Sequence, residues 1–589
     1  MSNPPGPPEE RTVFRDHLPA AVTLFLWLGL AVHTCHSTSV TFDEIWHLPV
    51  GVRNLVDGDF AEDRLNPPLS RMWAAIPLAI RGVHVTPRTP DREIGDLFVS
   101  EHDDYLTWYI AGRYFNLLWP VAMAVLLYVV TFRSLGLVPA RLALFSLLCS
   151  PDLIAHGSIV TPDTAAAFFF FATSVALASW FAVPSWKRTI TLGVLLGLLQ
   201  AVKYTGVVFF PTLVILVLWQ IWRGRSSAWQ SVTWKSLIGR LAVILLSCVV
   251  SLGASYRFHG MFVPLEDIPL QSVDFRTIRE VAGGLAKLPL PLPLDFVTGI
   301  DLQRSIMETP HPTFLDGQWS LSGFRSYFLK AFAYKYPLAL LGLSAIGAVA
   351  LLRQWRREHS VQVGCYLIPV AILVGIASFS SMQLGVRYVM PILPLVAFCA
   401  GSSLPAFANA NKSARTVLLV VGVAGLLSVW RNHPHHLGYF NELAGGPRGG
   451  RYHLVDSNLD WGQDLIRAQH AYQAHSDEPP KIAYFGTVDP RRLGMVTLPP
   501  PSRMPQPGLY LVSVNYVMGR PGTVREPDGH TRSADINEFA YFQLFEPFEH
   551  VGNSIDLYRI TQKDCDEYRE AMQQAALQEA GLSPGSSDQ

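Results

Sequence analysis

The sequence predicts an α-helical, polytopic membrane protein carrying a small α/β domain near its C-terminal end, and three observations predict it. Half of the 589 residues are apolar and only 16% are charged, well under the roughly 25% of soluble domains. Long apolar runs recur between residues 18 and 431, and each can satisfy its own backbone as a helix where no water is available. Every second connection between those runs is basic. Formal net charge is zero, so neither a nucleic-acid footprint nor an acidic tail is visible.

Taken in order, about eleven runs approach the length of a bilayer-spanning helix. They lie near 18–36, 109–132, 139–157, 163–183, 189–203, 205–222, 239–256, 327–352, 361–382, 387–407 and 415–431. The stretch 189–222 is too long for one span, and a polar turn at "KYTG" divides it in two. Residues 1–17 form a polar tail that opens "MSNPPGPPEE" and lacks the apolar core and cleavage site of a removable signal peptide. The six cysteines are scattered through apolar runs without metal-type spacing, which reads as small core residues.

Orientation follows from the basic loops. Arg11 and Arg15, Arg133 and Arg141, and Lys187 and Arg188 alternate with poorly basic connections. The pattern continues with Arg223, Arg225, Lys235 and Arg240, then Arg353, Arg356 and Arg357, then Lys412 and Arg415. An N-terminus inside and a C-terminus outside satisfies all of them. Residues 41–108, "HGSIVTPD", 257–326 and everything beyond about 432 then face outward. Residues 432–562 mix a helical "WGQDLIRAQHAYQAH" with strand-like "KIAYFG", "GLYLVSVNYV" and "SIDLYRI", the pattern of an extracytoplasmic α/β domain. A charged helix-like tail, 563–589, fades into "GLSPGSSDQ", which reads as partly disordered.

With this topology four cations fall on the outer side: Arg113, Lys203, Lys335 and Arg387. Singly, each reads as a helix-end residue reaching for headgroups. Together with acids on the same face they read as an anion pocket at the lipid boundary, suited to a phosphate whose tail stays in the bilayer. The acids are Asp43 and Glu44 in "TFDEIWH" and Asp163 in "HGSIVTPD". Capping explains part of this set. Asp163 suits a helix N-terminus, and Thr41 with Glu44 fits a capping box, which leaves Asp43 without a structural reason. "DEIWH" is neither HExxH, since Asp43 stands four before His47, nor a nucleotide-motor motif, since no Walker loop occurs. In a helix, Asp43 and His47 are neighbours on one face.

These stretches resemble the polyprenol-phosphate-dependent glycosyltransferases of the GT-C superfamily, such as protein O-mannosyltransferases and the lipid A aminoarabinose transferase. The resemblance covers about residues 15–430. It rests on "FDEIWHLPVGVRNLVDGDF", "LNPPLSRMWAAIPL", "IAHGSIVTPD", "GLLQAVKYTG", "YFLKAFAYKYPLALL" and "GVRYVMPILPLVAF". "YFNELAGGPRGGRYHLVDSNLDWGQDL" looks like the tail of bacterial members and implies a bacterial inner membrane. The resemblance implies a first outer loop of juxtamembrane helices with Asp43 as catalytic base. An acceptor hydroxyl of a protein, glycan or lipid would attack the anomeric carbon with inversion. Lys203, Lys335, Arg387 and Arg113 would neutralise the polyprenyl phosphate, while His47, Asn66 and Tyr204 would orient sugar or phosphate. Asp163 would position acceptor or base, and Glu44 completes the acidic pair.

One base suffices because a lipid phosphate leaves as a stabilised anion, whereas a glycosidase needs a second carboxyl to protonate its leaving group. Metal dependence varies among such enzymes. Asp43, Glu44, His47 and His84 are available to a divalent ion, but no spacing demands one. "NHPHH" at 432–436 reads as an interfacial turn before it reads as a metal site, and "GGPRGG" at 445–450 reads as a turn. "SNLDWGQD" sets Trp461 between Asp460 and Asp464, a sugar-binding look that a capped helix start also explains. Two rival classes use the same cations: a flippase of lipid-linked sugars, and an assembly subunit without activity. A flippase predicts polar groups through mid-membrane and internal repeats, and neither is seen.

Overall fold

The computed structural model describes residues 10–223, 227–358, 360–404, 412–475 and 477–579. The first nine residues of the expected tail, Arg225 of a basic loop and the segment "GLSPGSSDQ" lie outside the described residues. Two compact units form. The described residues within 1–37, 43–313 and 320–446 form one; those within 38–42, 314–319 and 447–589 form the other.

The first unit is helical. Seven of its described helices are long and apolar enough to cross a membrane: Arg15–Ser37, Tyr105–Leu135, Asp163–Ala182, Tyr204–Trp222, Trp234–Ser255, Leu338–Arg357 and Val361–Ser378. An eighth span arises if Leu137–Leu148 and Pro151–Gly157, bent by 62°, count as one. The chain is thus an integral, multi-pass membrane protein. Three further expected positions hold shorter helices, Trp186–Val202, Val386–Ser402 and a stretch ending at Asn432.

Three breaks interrupt the apolar runs, and each has a local cause. Pro151 starts a new helix at its first position, where a missing N–H costs nothing. The expected single span 327–352 is corrected by Pro337: Tyr327–Lys335 ends, Tyr336 is extended, and Leu338–Glu358 begins. At "KYTG" the chain leaves Trp186–Val202, extends at Lys203, and re-enters through a 3₁₀ turn, Tyr204–Val208, into Phe209–Trp222. Lys203 therefore sits at a helix break inside an apolar environment. That break sets up the site.

Residues 41–108 fold into three short helices, Glu44–Val56, Leu69–Ile80 and Ile94–Glu101. The first two approach backbone to backbone: a Cβ on Gly51 would overlap the Arg71 carbonyl. Arg71 locks the same contact with polar bonds, its Nε donating to Asn54 Oδ1 (2.6 Å) and its Nη1 to Asp63 Oδ2 (2.7 Å). In the segment 257–326, Gly299 on helix Leu294–Met307 makes a similar approach to the Tyr204 hydroxyl and the Arg64 carbonyl.

The second unit is built on a four-stranded sheet: β1 (Lys481–Ala483), β2 (Gly508–Ser513), β3 (Glu549–Val551) and β4 (Ile555–Ile560). The order is β1-β2-β4-β3, with β1 parallel to β2 and the other pairs antiparallel. "GLYLVSVNYV" is strand only to Ser513; its hydroxyl accepts the Asn515 N–H and turns the chain into a short helix, Val514–Val517. All six cysteines are buried and free.

Gly51→Ala is expected to lower the melting temperature of the solubilised protein, because a methyl group there meets backbone rather than a mobile side chain. The cost is about 1–3 kcal/mol. An unchanged melting curve would show that the two helices separate freely.

Candidate functional site

Asp43 stands immediately before helix Glu44–Val56, and its side chain caps nothing. Its Oδ2 instead accepts Arg387 Nη1 at 2.7 Å. Arg387 opens the apolar segment Val386–Ser402. Asp163 is the first residue of helix Asp163–Ala182, and its Oδ1 accepts the Lys203 ammonium at 2.6 Å. One ring joins the two pairs. Lys203 Nζ and Arg387 Cζ lie 5.2 and 5.3 Å from the centroid of Tyr388, close enough for cation–π attraction to both. Arg387 also stands near enough to Asp163 for its charge to act there.

Exposure separates the two acids. The Asp43 side chain is 29% exposed, while Asp163 is 1% exposed. Asp43 is thus the accessible acid, and Asp163 is enclosed against Lys203.

Glu44 does different work, and the expected capping box is corrected. It is the first residue of its helix, and its carboxylate takes a two-point bond from Arg113, 2.8 and 2.6 Å. It also accepts the Val160 N–H at 2.9 Å, while Arg113 Nη1 donates to the Cys35 carbonyl at 2.7 Å. Both side chains are wholly buried. Arg113 is therefore bound into the interior and does not join Lys203 and Arg387. Lys335 is likewise held apart: it donates to the Leu437 carbonyl (2.6 Å), lies 3.4 Å from Asp152 and faces the Phe440 ring. The expected convergence of four cations is thus corrected to one facing pair, Lys203 and Arg387, and two structural ion pairs. A buried cation needs a carboxylate or carbonyls, and these helices supply them.

The remaining residues divide similarly. The Tyr204 hydroxyl donates to the Arg64 carbonyl (2.8 Å), so it fastens the segment 41–108 while the residue lines a cavity. Asn66 is half-buried in the turn ahead of Leu69–Ile80. His47 is buried on the Asp43 helix. Burial is the largest influence on its imidazole and holds it below the usual histidine range, against the attraction of Asp43 and Asp63. The cavity, about 250 Å³, is lined chiefly by apolar groups, among them Val207, Phe275, Ile300, Phe328 and Leu373, with Tyr204 and Tyr388 on its wall. Tyr388, which faces both cations, thus also lines an apolar chamber.

Among the described residues no group of three or more His, Cys, Asp or Glu side chains is arranged to hold a metal. Of the four residues considered for one, Glu44 is committed to Arg113 and His84 is exposed. In "NHPHH" the imidazoles form a file rather than a ring: His33 to His433 (2.7 Å), then His433 to His436 (3.0 Å). "GGPRGG" contributes a one-turn helix, Gly446–Gly449. The readings of "SNLDWGQD" are both corrected. Trp461 is buried, and the helix begins only at Leu465 without a side-chain cap from Asp464. Asp460 is enclosed with Ser513, and burial pushes its carboxyl up to about 8.

Sequence reasoning passed over Tyr388, His156, Asp152, Asp63 and Arg71. Tyr388 adjoins Arg387, and His156 lies within "IAHGSIVTPD", so both were inside quoted motifs. No periodicity pointed to them.

Comparison with known proteins agrees with the resemblance. Residues 109–251, about a quarter of the chain, match the family model of dolichyl-phosphate-mannose-protein mannosyltransferases. No curated protein matches. Among solved structures, ArnT from Cupriavidus metallidurans in the apo state is 15% identical, covering 69% of this chain and 64% of that one, with TM-score 0.44. The match therefore spans just under two thirds of that protein's length. ArnT bound to undecaprenyl phosphate is 11% identical, covering 88% and 98%, with TM-score 0.43. The S. cerevisiae Pmt1–Pmt2 complex bound to the sugar donor is 16% identical, covering 42% and 36%, with TM-score 0.32.

Two measurements follow from the site's electrostatics. Arg113→Met strands the Glu44 carboxylate in the interior and is expected to cost about 3–5 kcal/mol, whereas Glu44→Gln with Arg113→Met recovers part of that loss. Thermal melts of the three proteins check it; equal losses in single and double variants would contradict the pairing. For His47 the folded value lies below the unfolded one. Its contribution is therefore present above about pH 6.5 and lost as pH falls through it, by at most about 1.4 kcal/mol per pH unit. His47→Asn should flatten the fall in denaturant stability between about pH 7 and about pH 5.5, and identical slopes would assign the acid sensitivity elsewhere.

Proposed function

We propose that this chain, which carries a glycosyltransferase family signature over residues 109–251, transfers a sugar from a polyprenyl-phosphate donor to an acceptor hydroxyl with inversion at the anomeric carbon. The acceptor is a protein, glycan or lipid, and the reaction faces the outside of a bacterial inner membrane. The observation that carries this reading is the pairing of Asp43 with Arg387 and of Asp163 with Lys203 around one tyrosine, beside an apolar cavity.

The geometry supports a division of labour. The polyprenyl chain occupies the apolar cavity, and its phosphate meets Lys203 and Arg387. The donor's monoanionic phosphodiester competes with Asp43 for Arg387, since a charge-assisted bond to phosphate rivals one to a carboxylate, and its hold strengthens as the leaving phosphate gains a second charge. As Arg387 turns to the phosphate, Asp43 gains the freedom to accept a proton. The acceptor oxygen then attacks the anomeric carbon from the face opposite the phosphate, its proton passing to Asp43. The bond from the anomeric carbon to the phosphate oxygen breaks with its electron pair on the phosphate. The two cations stabilise the charge that develops there, the place where electrostatic preorganisation contributes most. Donor binding thereby comes before base action, which protects the donor from idle hydrolysis.

The test uses purified protein in nanodiscs with polyprenyl-phosphate hexoses and pentoses, following release of polyprenyl phosphate in the presence of acceptor extract. Wild type is expected to release it, and Asp43→Asn to slow release by about 10²–10⁴-fold. Arg387→Gln is expected to raise the donor KM as well as lower kcat. Donor that binds and is never cleaved would favour the flippase instead.

A further inference from the structure

The run 257–326 lies between two spans, Trp234–Ser255 and Leu338–Arg357, and a run so placed reads as a loop in water. Its first part is not built as one. Helix Val273–Ala282 contains no buried residue. Six large apolar side chains on and around it, Phe258, Phe262, Ile278, Val281, Leu285 and Leu288, are between 54% and 83% exposed. Single exposed apolar residues are ordinary, but six gathered in one segment mark a surface that meets something apolar.

The segment is closed at its base and held at a defined level. The Leu294 N–H donates to the Gly260 carbonyl (2.9 Å) and the Phe262 N–H to the Leu290 carbonyl (3.0 Å). Carboxylates tether the first turn of the helix: Glu308 accepts the Val273 and Asp274 N–H groups at 2.9 and 3.2 Å, and Asp274 pairs with Arg304 at 2.6 Å. Phe275, on the same helix, lines the apolar cavity with Val207 of one span and Leu373 and Ile376 of another. The helix is therefore level with the end turns of two spans, where hydrocarbon gives way to headgroups. Phe258 and Phe262 lie just past Ser255, where a third span ends. Their φ angles are 57° and 65°, a left-handed conformation that bulky L-residues rarely adopt. In water it would only display two phenyl rings to solvent. In hydrocarbon the burial of those rings offsets the strain.

We propose that residues 258–288 form a membrane-surface anchor whose six apolar side chains enter one leaflet of the bilayer among the phospholipid acyl chains. Ile278 and Val281 stand three residues apart on one helix face, and Leu285 continues it in the 3₁₀ turn Gly283–Lys287. Arg276 and Glu280 share the opposite face and meet headgroups and water. Asp274, the charge on the apolar side, is neutralised by Arg304. Phospholipid is the occupant because the patch continues the surface of three spans at the level where they leave the hydrocarbon. A protein partner would have to displace lipid to reach it. The helix then has lipid on one face and, through Phe275, the apolar cavity on another.

The experiment places a nitroxide on the full-length protein in phosphatidylcholine nanodiscs, one position at a time. Ile278→Cys, Val281→Cys and Leu285→Cys report the apolar face, and Arg276→Cys and Glu280→Cys the polar one. All five positions are exposed, so the label displaces no core. Wild type, whose six cysteines are buried, sets the background. Power saturation compares collisions with oxygen, which concentrates in lipid, and with a nickel chelate, which stays in water. Oxygen is expected to dominate at 278, 281 and 285, at depths of about 5–10 Å into the headgroup–acyl boundary, and nickel at 276 and 280. Nickel dominating at all five positions would overturn the anchor and leave a solvated loop. Little access to either reagent at 278, 281 and 285 would also overturn it, in favour of contact with protein such as a second copy. No arm requires turnover, so the anchor stands or falls apart from the glycosyltransferase reading.

Discussion

The buried bond between Glu44 and Arg113 is the constraint on which the site depends. The Asp43 side chain caps no helix, and its carboxylate is met by Arg387 from a distant segment. The neighbouring Glu44 supplies the anchor. Its carboxylate ties the start of helix Glu44–Val56 to Arg113, and through Arg113 to the Cys35 carbonyl, while the Val160 N–H joins the turn that carries His156 and leads to Asp163. Three sequence-distant segments are held by one carboxylate. A wholly buried ion pair is a weak source of net stability, because desolvation offsets most of the attraction. What it supplies is a fixed geometry, since moving any one partner strands the others.

The charge arrangement around Tyr388 follows the same logic. Two cations and two acids lie near one another in an apolar frame, and each cation is satisfied by an acid. A site of free cations would be costly to keep at a membrane boundary. A site of paired ones costs less, because each charge replaces part of its partner's lost water. Tyr388 accommodates both cations on one ring. The helix break at Lys203 and the opening of Val386–Ser402 at Arg387 bring these side chains in from the ends of apolar segments.

The four cations mark where reading a sequence stops. From topology alone Arg113, Lys203, Lys335 and Arg387 were equivalent: each was a basic residue on the expected outer side of a span. In the structure they differ by the acid each one faces. Asp152, which faces Lys335, and Glu44, which faces Arg113, were indistinguishable in sequence from Asp163 and Asp43. A carboxylate near a helix start reads as a cap whether or not it caps, and neither Glu44, Asp163 nor Asp464 does so here. Pro337 and Pro151 show the reverse case, where one residue carries its own structural consequence.

The amino-acid sequence determined what depends on local chemistry and composition. It set the helical multi-pass class through apolar length, the break at "KYTG", the strands of the tail and the identity of the acidic pair, because these follow from the periodicity and backbone requirements of neighbouring residues. The tertiary structure decided partnership. Asp43 meets Arg387 across 344 positions, Glu44 meets Arg113 across 69, and Lys203 meets Asp163 across 40. No local rule specifies which buried charge will neutralise which. That choice is made by packing, as each ion is forced to the nearest group able to replace its lost water.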